Sequence, residues 1–370
     1  MKTIFWLPEG PMLKTERDGR GGFILHIHDL NPEQHTRWAL SRDEILTIGR
    51  GSSRKPASRP PAPRERRPLV AEHSTIEWTD ATWNPITGCA VVSPGCSNCY
   101  AMRLAGTRLA HHPSRAGLTR DTKAGPVWTG EVRFNEEWLT QPLRWKRPRQ
   151  IFVCAHGDLF AEGVPDAWID RVFAVMALAP QHTFQVLTKR SARMREYMAD
   201  PHTPGRIYDL VCDLAVIEAV DVVLVAPGFE AGAPTGRRVL LGLWPVPSVW
   251  VGVSAEDQRR ADERIPDLLA TPAAVRWVSA EPLLGPLDLW LYLDPQHQFR
   301  RRLDWIVAGG ESGPGARPML IEWARSLRDQ CNGAGVAFFM KQLSGLNGRA
   351  IKNIAQFPAD LRVRENPRAA

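Results

Sequence analysis

A chain of 370 residues with 44% hydrophobic and 24% charged residues has the composition of an ordinary globular protein, long enough for one large domain and a smaller piece. No apolar run approaches the ~18 residues of a membrane helix. Residues 1–6 do not read as a signal peptide, so no membrane partner is expected and the expected setting is a reducing, cytoplasmic one. The net charge of +7 is concentrated in residues 51–70, where Arg54, Lys55, Arg59, Arg64, Arg66 and Arg67 face only Glu65. High charge is therefore no general argument for nucleic-acid binding, although a basic segment can hold phosphates by counterion release.

Residues 1–50 read as a small separate unit, with a turn at 18–22, a strand at 23–28 and a short helix at 36–46. His26 and His28 share a strand face near Asp29, but no further ligands cluster with them. Residues 51–71, rich in Pro, Ser and Arg, read as a linker. From 72 to 350 the pattern is strand, loop, helix, repeated, with candidate strands at 75–78, 131–134, 151–154, 183–187, 249–253, 275–278, 305–308 and 336–339. Helical patterns at 168–176 and 321–327 alternate with them. Residues 204–247 break the rhythm as an insertion, and 351–370 form a C-terminal tail. The fold class is α/β, a partial or complete (β/α) barrel of about six to eight parallel strands with a small N-terminal extension.

Chemically capable residues follow the strands: Asp158, then Lys189 and Arg190, Glu256, Glu281, the run Gly309-Gly310-Glu311-Ser312, and Lys341. In an α/β barrel these ends converge on one mouth, where such folds build their sites. Glu256, Glu281 and Lys341 are the catalytic candidates, with mouth ion pairs to Lys189, Arg190 or Lys341 as the alternative for the two glutamates. Asp158, Lys189 and Arg190 are substrate-binding candidates. Gly309, Gly310, Glu311 and Ser312 are cofactor-binding candidates, since glycines admit a ligand to the backbone and Glu311 suits an ammonium or ribose hydroxyls. A plain tight turn is the alternative.

Three of the six cysteines, Cys89, Cys96 and Cys99, fall in one loop with C-x6-C-x2-C spacing. Three thiols leave one over in any disulfide scheme and suit a soft metal better. A structural zinc completed by His73, His111 or His112 is one possibility. An iron–sulfur cluster with one iron left open is the other. Pro94-Gly95 turns the chain between the thiols, and 100–105 begins a helix-like run. Cys154, Cys212 and Cys331 stand singly in apolar segments, as core cysteines do. Beyond the loop, Arg103, Arg108, Arg115, Arg120, Lys123, Arg144, Lys146 and Arg147 interleave with Trp128, Trp138 and Trp145, a pattern suited to nucleic-acid contact.

The residues Ile76-Glu77-Trp78-Thr79-Asp80-Ala81-Thr82-Trp83-Asn84-Pro85, the cysteine loop, Asp158-Leu159-Phe160, Thr188-Lys189-Arg190, Ser279-Ala280-Glu281-Pro282 and Gly309-Gly310-Glu311-Ser312-Gly313 resemble a phage-protein family of unknown function, named after phage gene products thirty-seven and sixty-eight. The likeness covers about residues 73–345. More distantly, a three-cysteine loop after an early strand resembles the radical SAM superfamily. That resemblance implies a [4Fe–4S] cluster on Cys89, Cys96 and Cys99, with S-adenosylmethionine on the open iron. It also implies an electron donor and cleavage to a 5′-deoxyadenosyl radical. The six-residue first spacing, Asn98 before the last cysteine, and the late Gly-Gly-Glu depart from that superfamily's pattern. The expected function is a radical SAM-like enzyme modifying a nucleic acid or nucleobase in a phage context. A zinc-stabilised nucleic-acid-binding protein, or a metal-free α/β hydrolase or transferase using Glu256 and Glu281, are the alternatives.

Overall fold

Alternation along single strands decides the architecture. In Val249-Trp250-Val251-Gly252-Val253-Ser254 the three valines face one way, and Trp250, Gly252 and Ser254 face the other. The same two-faced pattern recurs in a computed structural model of the chain. The structure describes residues 74–218, 220, 244–294, 301–345 and 348–367, with strand segments at 3–5, 12–17, 23–28, 222–225 and 237–240. The chain divides into two units, Met1–Pro68 and Leu69–Ala370.

The second unit holds seven parallel strands: β1 (Ala81–Trp83), β2 (Gln150–Val153), β3 (Thr183–Thr188), β4 (Val249–Ser254), β5 (Val275–Ala280), β6 (Trp305–Gly309) and β7 (Ala337–Gln342). Each pairs with its predecessor, and β1 and β7 do not pair with each other, so the sheet is a curled half-barrel. This is the partial-barrel form of the expected fold. The register sets Ser254 beside Ser279 and Ala280 beside Ala308, which brings the C-terminal strand ends level.

One sheet face, with Val153, Val186, Val251, Ile306 and Phe338, packs on helices Asp166–Leu178, Gln258–Ala270 and Ile321–Ala334. The last ends on Gly335, which takes the left-handed conformation (φ 65°) that favours glycine. The other face carries Phe152, Trp250, Trp277, Trp305 and Phe339 near the N-terminal ends of the strands. Trp277 lies 5.2 Å from Trp78 and 5.3 Å from Trp305, ring to ring. Gly252 sits directly under Trp277, where a Cβ would come within 2.6 Å of the indole. This aromatic floor uses a large share of the tryptophans and leaves the C-terminal strand ends open above it.

Two expected strands are corrected. Residues 75–78 form a turn, because Asp80 N–H donates to Gln150 O (2.9 Å) and Gln150 N–H to Asp80 Oδ2 (2.8 Å), so pairing with β2 begins at Ala81. Trp78 is thereby delivered to the aromatic floor. Of 131–134 only Arg133–Phe134 is a strand, and it pairs antiparallel with Ile86–Thr87 outside the main sheet. The break at 204–247 begins as a helix, Thr203–Ile217, and includes a parallel pair, Val222–Val225 with Arg237–Leu240. After Ile351 the chain returns to the sheet: Met340 N–H donates to Val363 O (2.8 Å), and Glu365 N–H to Phe338 O (3.0 Å).

In the first unit, Thr3–Phe5, Met12–Arg17 and Phe23–His28 form an antiparallel sheet. The helix expected at 36–46, the linker 51–71 and His73 lie outside the described residues. Among the described residues no helix is long and apolar enough to cross a membrane.

Candidate functional site

The open ends of the strands and the loop after β1 enclose a cavity of about 570 Å³. The three loop cysteines line it, together with Asp158, Lys189, Arg190, Glu281, Glu311, Ser312 and Lys341. The strand-end residues singled out by sequence position thus converge as a barrel mouth requires. Glu256, Gly309 and Gly310 lie behind the lining.

The cysteine loop is folded by its own turns. Cys96 N–H donates to Ser93 O (2.9 Å), Cys99 N–H donates to Cys96 O (3.2 Å), and Cys99 caps the helix Tyr100–Gly106. Charged residues from three strand ends fasten it. After β3, Arg190 donates to Ala90 O (3.1 Å) and to Cys89 Sγ (3.4 Å). Asp158 holds Arg190 at 3.3 Å while accepting from Thr188 Oγ1 (2.6 Å), Lys189 N–H (3.1 Å) and Phe160 N–H (3.0 Å). After β4, the fully buried Glu256 accepts from Gly95 N–H (3.0 Å) and pairs with Arg264 (3.0 Å). Burial opposes its ionisation, but Lys189, the Ser93 hydroxyl, Arg264 and the Gly95 amide outweigh it and hold the carboxyl below its usual range. After β6, Glu311 accepts from Asn98 Nδ2 (2.8 Å) and pairs with Arg317, whose guanidinium also donates to Pro94 O (2.9 Å).

Two glycines are required by close approach. A Cβ at Gly95 would stand 2.9 Å from Glu256 Cδ, and one at Gly310 would stand 2.5 Å from Ser344 Oγ. Since Arg264 pins Glu256 in a buried position, Gly95→Ala is expected to cost about 1–3 kcal/mol. The midpoint of urea unfolding checks this, and an unchanged midpoint would mean that the loop has room to shift.

Across the cavity Lys341 Nζ meets Glu281 Oε1 at 2.5 Å, with Gln342 Nε2 at 3.3 Å from the same oxygen. This is the ion-pair arrangement weighed for Glu281 from the sequence. Gly309 lies against that pair, its Cβ position 3.4 Å from Glu281 Cδ. Lys189 is the foremost charge acting on Glu256, though no carboxylate among the described residues lies within ion-pair distance of its ammonium. Trp78, Tyr100 and Phe152 supply apolar wall.

Burial, with Asp158 adding to it, pushes the Cys89 thiol up to about 12, against the opposing charge of Arg190. A thiolate there calls for a cation to neutralise it. The candidate histidine ligands stand elsewhere: His112 Nδ1 bonds Ser114 Oγ at 2.6 Å with its ring against Trp138, and neither His111 nor His112 lines the cavity. Among the described residues no three His, Cys, Asp or Glu side chains are gathered as one metal ion would need. Trp128, Trp138 and Trp145 are buried, as is Arg115, whereas Arg108, Arg120, Lys123, Arg144, Lys146 and Arg147 are exposed. The exposed part of that stretch is cationic without its aromatic rings.

His156 lines the cavity and was not singled out by sequence. Its backbone N–H donates to Asn84 Oδ1 (2.9 Å), and its ring Nδ1 stands 2.9 Å from Arg115 Nη2. Burial, then the charge of Arg115, lowers its pKa to about 4. The unfolded chain therefore takes a proton near pH 6.5 that the fold refuses until about pH 4. Stability from this group is present above 6.5 and lost on acidification, by about 3 kcal/mol at pH 4. His156→Gln is expected to flatten the stability profile between these limits; an unaltered profile would show that the ring protonates freely in the fold. Cys154, at the end of β2, also lines the cavity and adopts φ 55°, an uncommon conformation for a residue with a side chain.

The model of a family described as a protein of unknown function, DUF5131, matches residues 73–360, which takes in the whole cavity wall. No curated protein and no solved structure matches the chain.

Proposed function

We propose, for a chain that belongs to the DUF5131 family of proteins of unknown function, that Cys89, Cys96 and Cys99 hold a [4Fe–4S] cluster with one iron open toward the cavity. There S-adenosylmethionine would bind, in a radical SAM-like enzyme that modifies a nucleic acid or nucleobase. The observation that carries the reading is the setting of the three thiols, which share one loop and line one cavity wall. A structural tetrahedral zinc would need a fourth protein ligand beside the three thiols, and neither His111 nor His112 lines the cavity. The Arg190 hydrogen bond to Cys89 Sγ is the kind of contact that tunes such a cluster's potential.

Bound there, the cluster and S-adenosylmethionine would supply one-electron chemistry that abstracts hydrogen from a substrate, given an electron donor. The chain's own residues hold the scene for it. Glu256, Glu311 and Arg190 fix the loop against three strand ends. Lys341 Nζ and Glu281 Oε1 form an ion pair in the cavity lining, where both could contact a bound molecule. Trp78, Tyr100 and Phe152 offer ring faces to a planar base, and Lys189 and Lys352 offer charge to its backbone. A phage-associated, cytoplasmic setting suits an oxygen-sensitive cluster and a nucleic-acid substrate.

Single replacements Cys89→Ala, Cys96→Ala and Cys99→Ala test the proposal. Each is expected to abolish iron retention while costing only about 1 kcal/mol of fold stability, since the loop is also fastened by residues other than cysteine. A structural zinc site would behave differently: losing a ligand would unfold the unit together with the metal.

A further inference from the structure

Behind His156, which lines the cavity, lies a buried positive charge with no acidic partner among the described residues. Arg115 is only 4% exposed, and among the described residues no carboxylate lies within ion-pair distance of it. Its guanidinium donates to the Ser114 hydroxyl and to His156 Nδ1, while its Nε is buried with no partner. Arg133, the foremost charge acting on it, is also positive and donates to the carbonyls of Pro113 and Ala116. Cys154 does not neutralise the pair, because burial pushes its thiol up to about 12. Buried charges are ordinarily matched by a partner of opposite sign. Among the described residues none supplies that partner.

His156 connects this charge to the cavity. An arginine can only donate, so the Arg115 contact makes Nδ1 the acceptor. The ring proton is then fixed on Nε2, which has no hydrogen-bond partner among the described residues and belongs to a residue that lines the cavity. Low basicity, from burial and from Arg115, keeps the ring neutral over the physiological range. The result is a fixed N–H donor backed by a guanidinium, a good receptor for an oxygen bearing negative charge.

We infer that His156 Nε2–H, backed by Arg115, is the docking point for an oxyanion inside the cavity, a phosphate or a carboxylate carried by the molecule that the enzyme works on or with. This deepens the proposed function and rests on it for the two sources of such a group: the phosphate of a nucleotide substrate, or the carboxylate of S-adenosylmethionine. Phe152 and Tyr100, in the same lining, would lie beside the rest of either molecule.

Calorimetric titration of the full-length protein, as purified with its metal, separates the sources with two probes, a 5′-mononucleotide and S-adenosylmethionine. One of them is expected to bind wild-type protein and to bind His156→Phe about tenfold to a hundredfold more weakly, the loss of one charge-assisted hydrogen bond. His156→Gln, which retains an N–H donor, is expected to recover part of the affinity; circular dichroism checks that both variants fold. Which probe responds identifies the oxyanion. Binding of neither probe, or equal binding by wild type and a folded His156→Phe, would overturn the inference and leave Arg115 and His156 as packing for Trp138 and Tyr100. Because binding is read without turnover, a negative result here stays distinct from failure of the iron–sulfur assignment, which metal and sulfide content decide.

Discussion

Asp158→Ala is expected to lower the unfolding free energy of the α/β unit by about 3–5 kcal/mol, the usual cost of leaving a buried charge unpaired. The carboxylate accepts from the Thr188 hydroxyl and from two backbone amides, and it lies 3.3 Å from the Arg190 guanidinium. Removing it strands these donors in a site where both side chains are 6% exposed. Glu162, the other carboxylate paired with Arg190, is 64% exposed and compensates poorly. Arg190 also reaches Cys89 Sγ and Ala90 O, so the same variant is expected to loosen the cysteine loop and shed metal. Urea unfolding and metal content check both halves. A loss below about 1 kcal/mol, within the range of a surface substitution, would mean that water replaces the carboxylate.

Trp277→Ala is expected to cost about 3–5 kcal/mol, the range for truncating a large aromatic core residue. The ring is fully buried, packs edge-on to Trp78 and tilted on Trp305, and covers Gly252. Its loss opens the floor of the cavity as well as the core. The counterpart, Gly252→Ala, is expected to be destabilising in wild type, because its Cβ would meet the indole at 2.6 Å. In the Trp277→Ala background the added methyl has space, so the double variant should be more stable than the sum of the single effects implies. Additive losses would show that the two residues do not share one packing contact.

The half-barrel was legible because short, nearly continuous apolar runs at 249–253, 275–278 and 305–308, set between helical stretches, imply parallel strands buried on both faces. Strand ends were legible as a site for the same reason. The direction in which their side chains work was not. Glu256 and Glu311 read as groups facing a ligand, whereas they reach sideways to Gly95 and Asn98, contacts 161 and 213 residues apart in sequence. Residues 75–78 carry the β-branched and aromatic composition of a strand, but Asp80 and Gln150 settle where pairing begins. His156 was missed because a lone histidine between Ala155 and Gly157 has no spacing signal. Its role depends on Arg115, buried beside it by a separate segment. The tryptophans at 128, 138 and 145 read as a stacking surface because sequence alone does not reveal which aromatic rings a fold buries.

Metal and sulfide analysis of protein purified without oxygen, with EPR spectra of the reduced protein before and after S-adenosylmethionine, tests the central claim most directly. The iron–sulfur centre predicts about four irons and four sulfides per chain and a reduced-state signal that shifts when the cofactor occupies the open iron. One tightly held zinc with no sulfide would contradict it and make Cys89, Cys96 and Cys99 a structural clasp.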